Sequence, residues 1–234
     1  MKAKRTQKIK WSPELAYAVG LITTDGTLSV DERHIDLTSK DVQLLNIFKK
    51  CLCLKVKIGS KTDGHSKRKY YRVQFGDVVF YKWLQEIGLT PNKTKTIGKL
   101  KIPNDYFFDF LRGHFDGDGS CYGYWDKRWS SSFMFYTKFV SASKKHILWL
   151  RSKIKKLSGI KGDLSRGGET PIYQLKYAKK ESRILISKIY HKENLPHLKR
   201  KYKKLKAFLN IDNEETKRTL KLNGRVMELA DIYA

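Results

Sequence analysis

Long apolar runs are missing from this chain of 234 residues. None approaches the 18 or more residues that a membrane span needs, which argues against a membrane partner. Cysteine is nearly absent: Cys51, Cys53 and Cys121 make an odd number with no secretory context, so no disulfide framework is expected and a reducing compartment fits. Cys51 and Cys53 have no His or further Cys nearby to complete a metal site and read as small buried apolar residues. The opening stretch MKAKRTQKIKW is basic but lacks an apolar core, so it reads as a nucleic-acid-binding arm or a frayed end rather than a signal peptide. The expected location is intracellular, in the cytoplasm or nucleoid of a prokaryote or in an organelle. Acidic residues are also few. Against 49 Lys and Arg stand 23 Asp and Glu, a formal charge of +26.

Hydrophobic residues make up 40% and aromatics 12%, enough for a folded core in one large domain or two small ones. The basic excess belongs to the folded body. Residues 1–105 carry 21 basic and 10 acidic groups, and residues 106–234 carry 28 and 13. A body charged this way implies a polyanionic partner, most simply nucleic acid.

The chain reads twice. AVGLITTDG (Ala18 to Gly26) and LRGHFDGDG (Leu111 to Gly119) place Asp25 and Asp118 the same distance apart as Gly20 and Gly113. In the first half, Ser12 caps a helix that opens on Pro13 and runs to about Thr24. TLSV and RHIDLT alternate apolar and polar as a hairpin around Asp31-Glu32. Ser39 to Leu52 has helical period, with Val42, Leu45, Ile47 and Phe48 near one side. LKVKIGSK and KYYRVQF read as strands, and Asp77 to Leu89 as a helix. The second half gives a helix over Asn104 to Gly117, the strand pair CYGYWDKRW and SSFMFYTKFV, a helix over Ser143 to Leu157, strands IKGDLSR and PIYQLKY, and the helices KESRILISKIY and PHLKRKYKKLKAFL. Each half is α-β-β-α-β-β-α. The expected organisation is a basic arm (1–11), a first repeat (12–98), a linker (99–104) punctuated by Pro103, a second repeat (105–209) and a C-terminal helical appendix (210–234).

The fold class is therefore α+β, two pseudo-symmetric repeats whose antiparallel sheets form a saddle with helices on the outer face. Strand parity assigns the open face. Ile35, Leu37, Val56, Ile58, Tyr71, Val73, Phe75, Phe133, Phe135, Phe139 and Leu175 point inward. The residues offered to a duplex are Ser29, Arg33, His34, Asp36, Lys55, Lys57, Tyr70, Arg72, Gln74, Tyr136, Lys138, Lys161, Gln174 and Lys176. These types both neutralise phosphates and read base edges. The loop tips TDGHSKR and SRGGET should reach the ends of a long site.

The paired motifs resemble those of the LAGLIDADG homing endonucleases, in their monomeric two-repeat branch, and the resemblance extends over the repeat pattern from about 12 to 209. Thr23 replaces the earlier acid of the first motif, whereas the second keeps both acids, Asp116 and Asp118. Asp25 and Asp118 fill the position that is catalytic in the family. Independently, Ala16, Gly20 and Thr24, and Gly113 and Gly117, form ridges of small residues on two helices, which would let them pack closely and bring both aspartates together. Adjacent carboxylates repel unless a cation joins them, and hard oxygen ligands favour Mg²⁺. The DGDGS stretch does not fit a calcium loop, because the sixth and twelfth positions from Asp116 are Cys121 and Lys127.

The resemblance implies an Mg²⁺-dependent DNA endonuclease, a phosphodiester hydrolase acting on double-stranded DNA, with Mn²⁺ able to substitute and Ca²⁺ binding without supporting cleavage. It implies a monomeric, intron-encoded protein, with host intron RNA a possible further partner. Metal ligands would be Asp25 and Asp118 with main-chain carbonyls at Thr24 and Gly117. A lysine is expected beside each acid: Lys93 in TPNKT, and Lys201, with Lys199 as the alternative, in HLKRKYKK. Ser39 and Ser143 occupy matching places after the second strands. The other functional reading is a non-cleaving intron-RNA maturase or DNA-binding regulator of the same fold.

Overall fold

A computed structural model describes residues 9–62, 69–128, 132–167 and 172–232. The arm before residue 9 and most of the two loop tips expected to reach the ends of a site lie outside the described residues. Among the described residues each repeat builds one four-stranded antiparallel sheet, and no helix is long and apolar enough to cross a membrane.

The first helix, α1 (Pro13–Thr24), starts as its sequence dictates: the Ser12 hydroxyl accepts from Leu15 N and Pro13 fills the first position. Every residue from Leu15 to Thr23 is buried, so this helix is enclosed on all sides. Strands β1 (Gly26–Leu28) and β2 (His34–Ser39) follow, then α2 (Val42–Cys51), β3 (Gly59–Thr62), β4 (Lys69–Gly76) and α3 (Val78–Glu86). The second repeat opens on a 3₁₀ turn (Asn104–Tyr106) and α4 (Phe107–Asp118). It continues with β5 (Ser120–Trp125), β6 (Phe133–Ser141), α5 (Lys144–Ser158), β7 (Asp163–Gly167), β8 (Ile172–Tyr177), α6 (Lys179–Ile189) and α7 (Lys199–Ile232). The strand orders β1-β2-β4-β3 and β5-β6-β8-β7 are equivalent. Each sheet therefore starts where α1 or α4 ends and runs outward to β3 or β7.

The two repeats meet along α1 and α4, the most extensive contact between any two elements. A Cβ on Gly113 would lie 2.0 Å from the Tyr17 carbonyl oxygen, one on Gly20 2.2 Å from that of Phe110, and one on Gly117 2.0 Å from Thr24 Oγ1. Contacts advance together along both helices, from Tyr17–Gly113 to Thr24–Gly117, so the helices run parallel and finish side by side.

Four expectations need correction. The segment 54–58 is not strand: β3 begins only at Gly59, although Lys55 and Lys57 are exposed and Val56 and Ile58 pack on the core as parity requires. On α2 the core contact is made by Leu44, Leu45 and Phe48, with Ile47 half-buried against it, while Val42 in the first turn is 37% exposed. Cys53 is exposed with φ 52° and Cys51 only half-buried, so of the three cysteines Cys121 alone is buried. Residues 210–232 do not form a separate element, because α7 runs unbroken from Lys199 to Ile232. Phe208 packs on Phe133 and Phe135, Glu215 accepts from Phe133 N, and Asp212 pairs with Lys179 and Arg183.

Candidate active site

Asp25 caps the C-terminus of α1, and Asp118 is the last residue of α4. The parallel packing sets the two side by side, and a Cβ on Gly117 would lie 3.1 Å from Asp25 Oδ2. Burial, then repulsion from Asp118, raises Asp25 to about 6. Asp118 is also raised by desolvation: its side chain opens to solvent, yet enough protein surrounds it to penalise its charge. Two helix C-termini concentrate carbonyl dipoles at the same place, which adds to the local negative potential.

Two buried lysines answer that potential. Lys93, in the turn after α3, donates through Nζ to the Gly26 carbonyl. Lys201, in the first turn of α7, sets its Nζ among the carbonyls of Phe115 (2.7 Å), Asp116 (2.8 Å), Gly117 (2.8 Å) and Gly119 (2.6 Å), which share its three protons and close the end of α4. Burial pulls both ammonium groups down to about 8, while Asp25 and Asp118 hold them up. Lys199, the alternative to Lys201, is exposed, and its backbone N–H reaches Gln43. Asp25, Asp118, Lys93 and Lys201 thus converge at one point, with Thr24 and Gly117 at the adjoining helix ends.

Asp116, the earlier acid of the second motif, is withdrawn from this point. Its Oδ2 accepts from Tyr17 Oη across the repeat interface and from Leu198 N just before α7, both at 2.8 Å. Arg112, fully buried, donates to Asp109, to the Ile189 carbonyl and to the Pro196 carbonyl. Together these bonds seat the start of α7, and with it Lys201. In the first motif Thr23 replaces this acid, and its hydroxyl donates to Val19 O within α1. Asp116→Ala is expected to destabilise the fold by about 3 kcal/mol, because the Tyr17 hydroxyl and Leu198 N–H lose their buried acceptor. Asp116→Asn should cost clearly less, since its carbonyl oxygen still accepts both. Urea denaturation of the two variants checks the order.

The donor set around the acids is all oxygen: two carboxylates beside the carbonyls that end two helices. That chemistry fits a hard divalent cation such as Mg²⁺. Among the described residues no three His, Cys, Asp or Glu side chains gather as a self-sufficient cage, so carbonyls, water and a ligand's oxygens would complete the coordination. The Gly117 carbonyl, one expected ligand, already accepts from Lys201.

The sheet faces differ between repeats. On the first, register sets His34, Asp36 and Thr38 opposite Gly76, Gln74 and Arg72. Arg72 lies 3.9 Å from Asp36, His34 is paired with Asp31, and Lys40 sits over the Tyr70 ring. Ser29 and Arg33 are in the β1–β2 turn, where the Ser29 carbonyl accepts from Tyr81 Oη. On the second face, Lys138 stands opposite Ser120 and Lys176, Gln174 opposite Ser165, and Lys176 lies over the Tyr136 ring. Tyr122 and Tyr124 stack on either side of Tyr136, with centroids 5.1 and 6.1 Å away. The sequence reading missed these two, although they share the parity of Ser120 along β5. Lys161 stands before β7, not on a strand, with its backbone held by Glu181 and Arg151 from the helical layer.

Residues 12–88 match the family model of a LAGLIDADG-like domain. The chain is similar in fold to the LAGLIDADG meganuclease I-AabMI bound to uncleaved DNA, at 15% identity and TM-score 0.60, over 89% of this chain and 93% of that one. The homing endonuclease I-WcaI bound to its DNA recognition sequence is similar at 16% identity and TM-score 0.58, over 85% and 88%. Full-length DUF199/WhiA from Thermatoga maritima is similar at 15% identity and TM-score 0.56, over 96% and 71%. No curated protein sequence matches the chain. The family model covers the first repeat alone, and over both repeats the likeness to these solved structures is one of fold.

Proposed function

We propose that this protein is a site-specific double-strand DNA endonuclease that hydrolyses one phosphodiester in each strand across the minor groove of a long, non-palindromic site. The observation that carries this reading is the convergence of Asp25 and Asp118, each with a buried lysine, at the point from which two unlike, basic sheets run outward. Basic and amide residues on the sheets would contact phosphates and base edges; because the two faces differ, the two half-sites should differ. Asp25 and Asp118, with the Thr24 and Gly117 carbonyls, would hold Mg²⁺, for which Mn²⁺ should substitute and Ca²⁺ should not support cleavage. Such an ion supplies activation of water and stabilisation of the leaving oxygen. Lys93 and Lys201 would balance the charge of the scissile phosphates and order water beside them. The protein would act as a monomer inside a cell or organelle and be intron-encoded.

The fold is shared with DUF199/WhiA as well as with homing endonucleases, so a non-cleaving intron-RNA maturase or DNA-binding regulator is the second reading. Incubation with a randomised duplex library at low salt, in Mg²⁺ and in EDTA, separates the two. Metal-dependent double-strand cuts at one enriched sequence support the endonuclease. Tight binding with no cutting in any divalent ion overturns it and leaves the second reading. Binding should weaken steeply with added salt in either case, through counterion release.

A further inference from the structure

Two buried histidines beside the candidate active site have no part in the chemistry just proposed. His114, on α4 one turn before Asp118, and His146, in the first turn of α5, stack with centroids 5.3 Å apart and face each other with Nε2 atoms 3.1 Å apart. His146 Nδ1 lies 2.9 Å from the Gly98 carbonyl. A carbonyl only accepts, so His146 carries its proton on Nδ1. Its ring is neutral, because burial pulls it down to about 4, and its Nε2 is therefore an acceptor. It follows that His114 donates from Nε2. The chain of donation runs in one direction, from His114 to His146 to the Gly98 carbonyl. Beside it the Ser143 hydroxyl donates to the Ile97 carbonyl at 2.5 Å.

These two carbonyls end the turn that carries Lys93: Thr96 N and Ile97 N donate back to the Lys93 carbonyl at 3.0 and 2.8 Å. One cleft is lined jointly by Lys93, Asp118, His114 and His146. The lysine of the first repeat is thus anchored by side chains of the second. Lys201 has a different support, through Leu198 and Asp116.

We infer that the His114–His146 pair, with Ser143, is a positioning device that holds the 93–98 turn so that the Lys93 ammonium stays at the paired aspartates. The inference rests on the endonuclease reading only for its consequence in cleavage; the positioning itself is a property of the protein alone. His146→Leu removes the donor to Gly98. His146→Asn keeps one, since its amide nitrogen falls where Nδ1 stands.

The test has two readouts. Acylation of lysines in the DNA-free protein, followed by mass spectrometry, should show Lys93 labelled roughly tenfold faster in His146→Leu, with Lys201 unchanged and His146→Asn near the wild type. On a supercoiled plasmid carrying the selected site, His146→Leu should accumulate nicked circles cut in the same strand as Lys93→Met, with the double variant no worse than Lys93→Met alone. His146→Asn should restore linear product. Unchanged Lys93 labelling, or Lys93 and Lys201 rising in parallel, overturns the inference, as does equal slowing of both strands. If the wild type cuts no DNA, the endonuclease reading fails and the labelling result still decides the positioning role.

Discussion

Asp25→Asn and Asp118→Asn are each expected to reduce cleavage by three or more orders of magnitude while leaving binding to duplex DNA within a few-fold. The loss is this large because each carboxylate would supply both charge and ligand oxygen where an ion must sit against a phosphate, and an amide supplies neither the charge nor the affinity. Binding should survive because the basic sheet faces lie outside the paired acids. Stability should move the other way. Asp25 is raised from 3.8 to about 6, so the folded state holds this proton more tightly than the unfolded chain. The metal-free protein therefore loses stability through this group as pH rises from about 4 to about 6, by up to about 3 kcal/mol, and remains at the lower level above that. Asp25→Asn should show little difference from the wild type at pH 4 and be the more stable protein at pH 7 in EDTA. Urea denaturation at the two pH values, beside gel assays of cutting and binding, checks all three outcomes. A variant that cuts normally would remove Asp25 from the chemistry. One that is no more stable than the wild type at pH 7 would remove the repulsion argument.

The second large effect is expected at the repeat interface. Gly113→Ala and Gly20→Ala would set a methyl group 2.0 and 2.2 Å from backbone oxygens of the opposite helix. Backbone cannot rotate away as a side-chain tip does, so α1 and α4 must separate. Each substitution should cost more than about 3 kcal/mol and lower the thermal midpoint by roughly 6–12 °C. Gly98→Ala is the control: a Cβ there has nothing within 4 Å and should leave the midpoint nearly unchanged. Separation of α1 and α4 also parts Asp25 from Asp118, so residual activity at low temperature should fall further than the folded fraction does. Calorimetry and cleavage on the same samples measure both quantities.

Much of the fold was legible in the chain because its signals are local. The Ser12–Pro13 start of α1, the helix that opens at Asp77 and the alternation of β2, β4, β6 and β8 require only neighbouring residues, and the structure has each of them. Reading failed where longer-range packing decides. LKVKIGSK alternates over its whole length, yet only Gly59 onward pairs with β4, because a strand exists only where its partner's backbone reaches. The break expected near residue 210 is absent because α7 is held beyond it by Asp212 and Glu215, through contacts with residues far earlier in the chain. Lys201 and Lys199 could not be told apart by spacing. Rotation of α7, fixed by Leu198 N on Asp116, turns Lys201 to the carbonyls of α4 and leaves Lys199 in solvent.

The sequence by itself determined the doubling of the chain, the small-residue stripes and the two aspartates that end them, since each is a matter of spacing along one strand or helix. Tertiary structure alone decided that Asp116 is a brace rather than a ligand, that Tyr122 and Tyr124 flank Tyr136, and that second-repeat histidines anchor the turn of a first-repeat lysine. Those roles depend on which groups meet across the fold at hydrogen-bond or stacking distance, and residues 99 or 32 positions apart carry no local mark of their meeting.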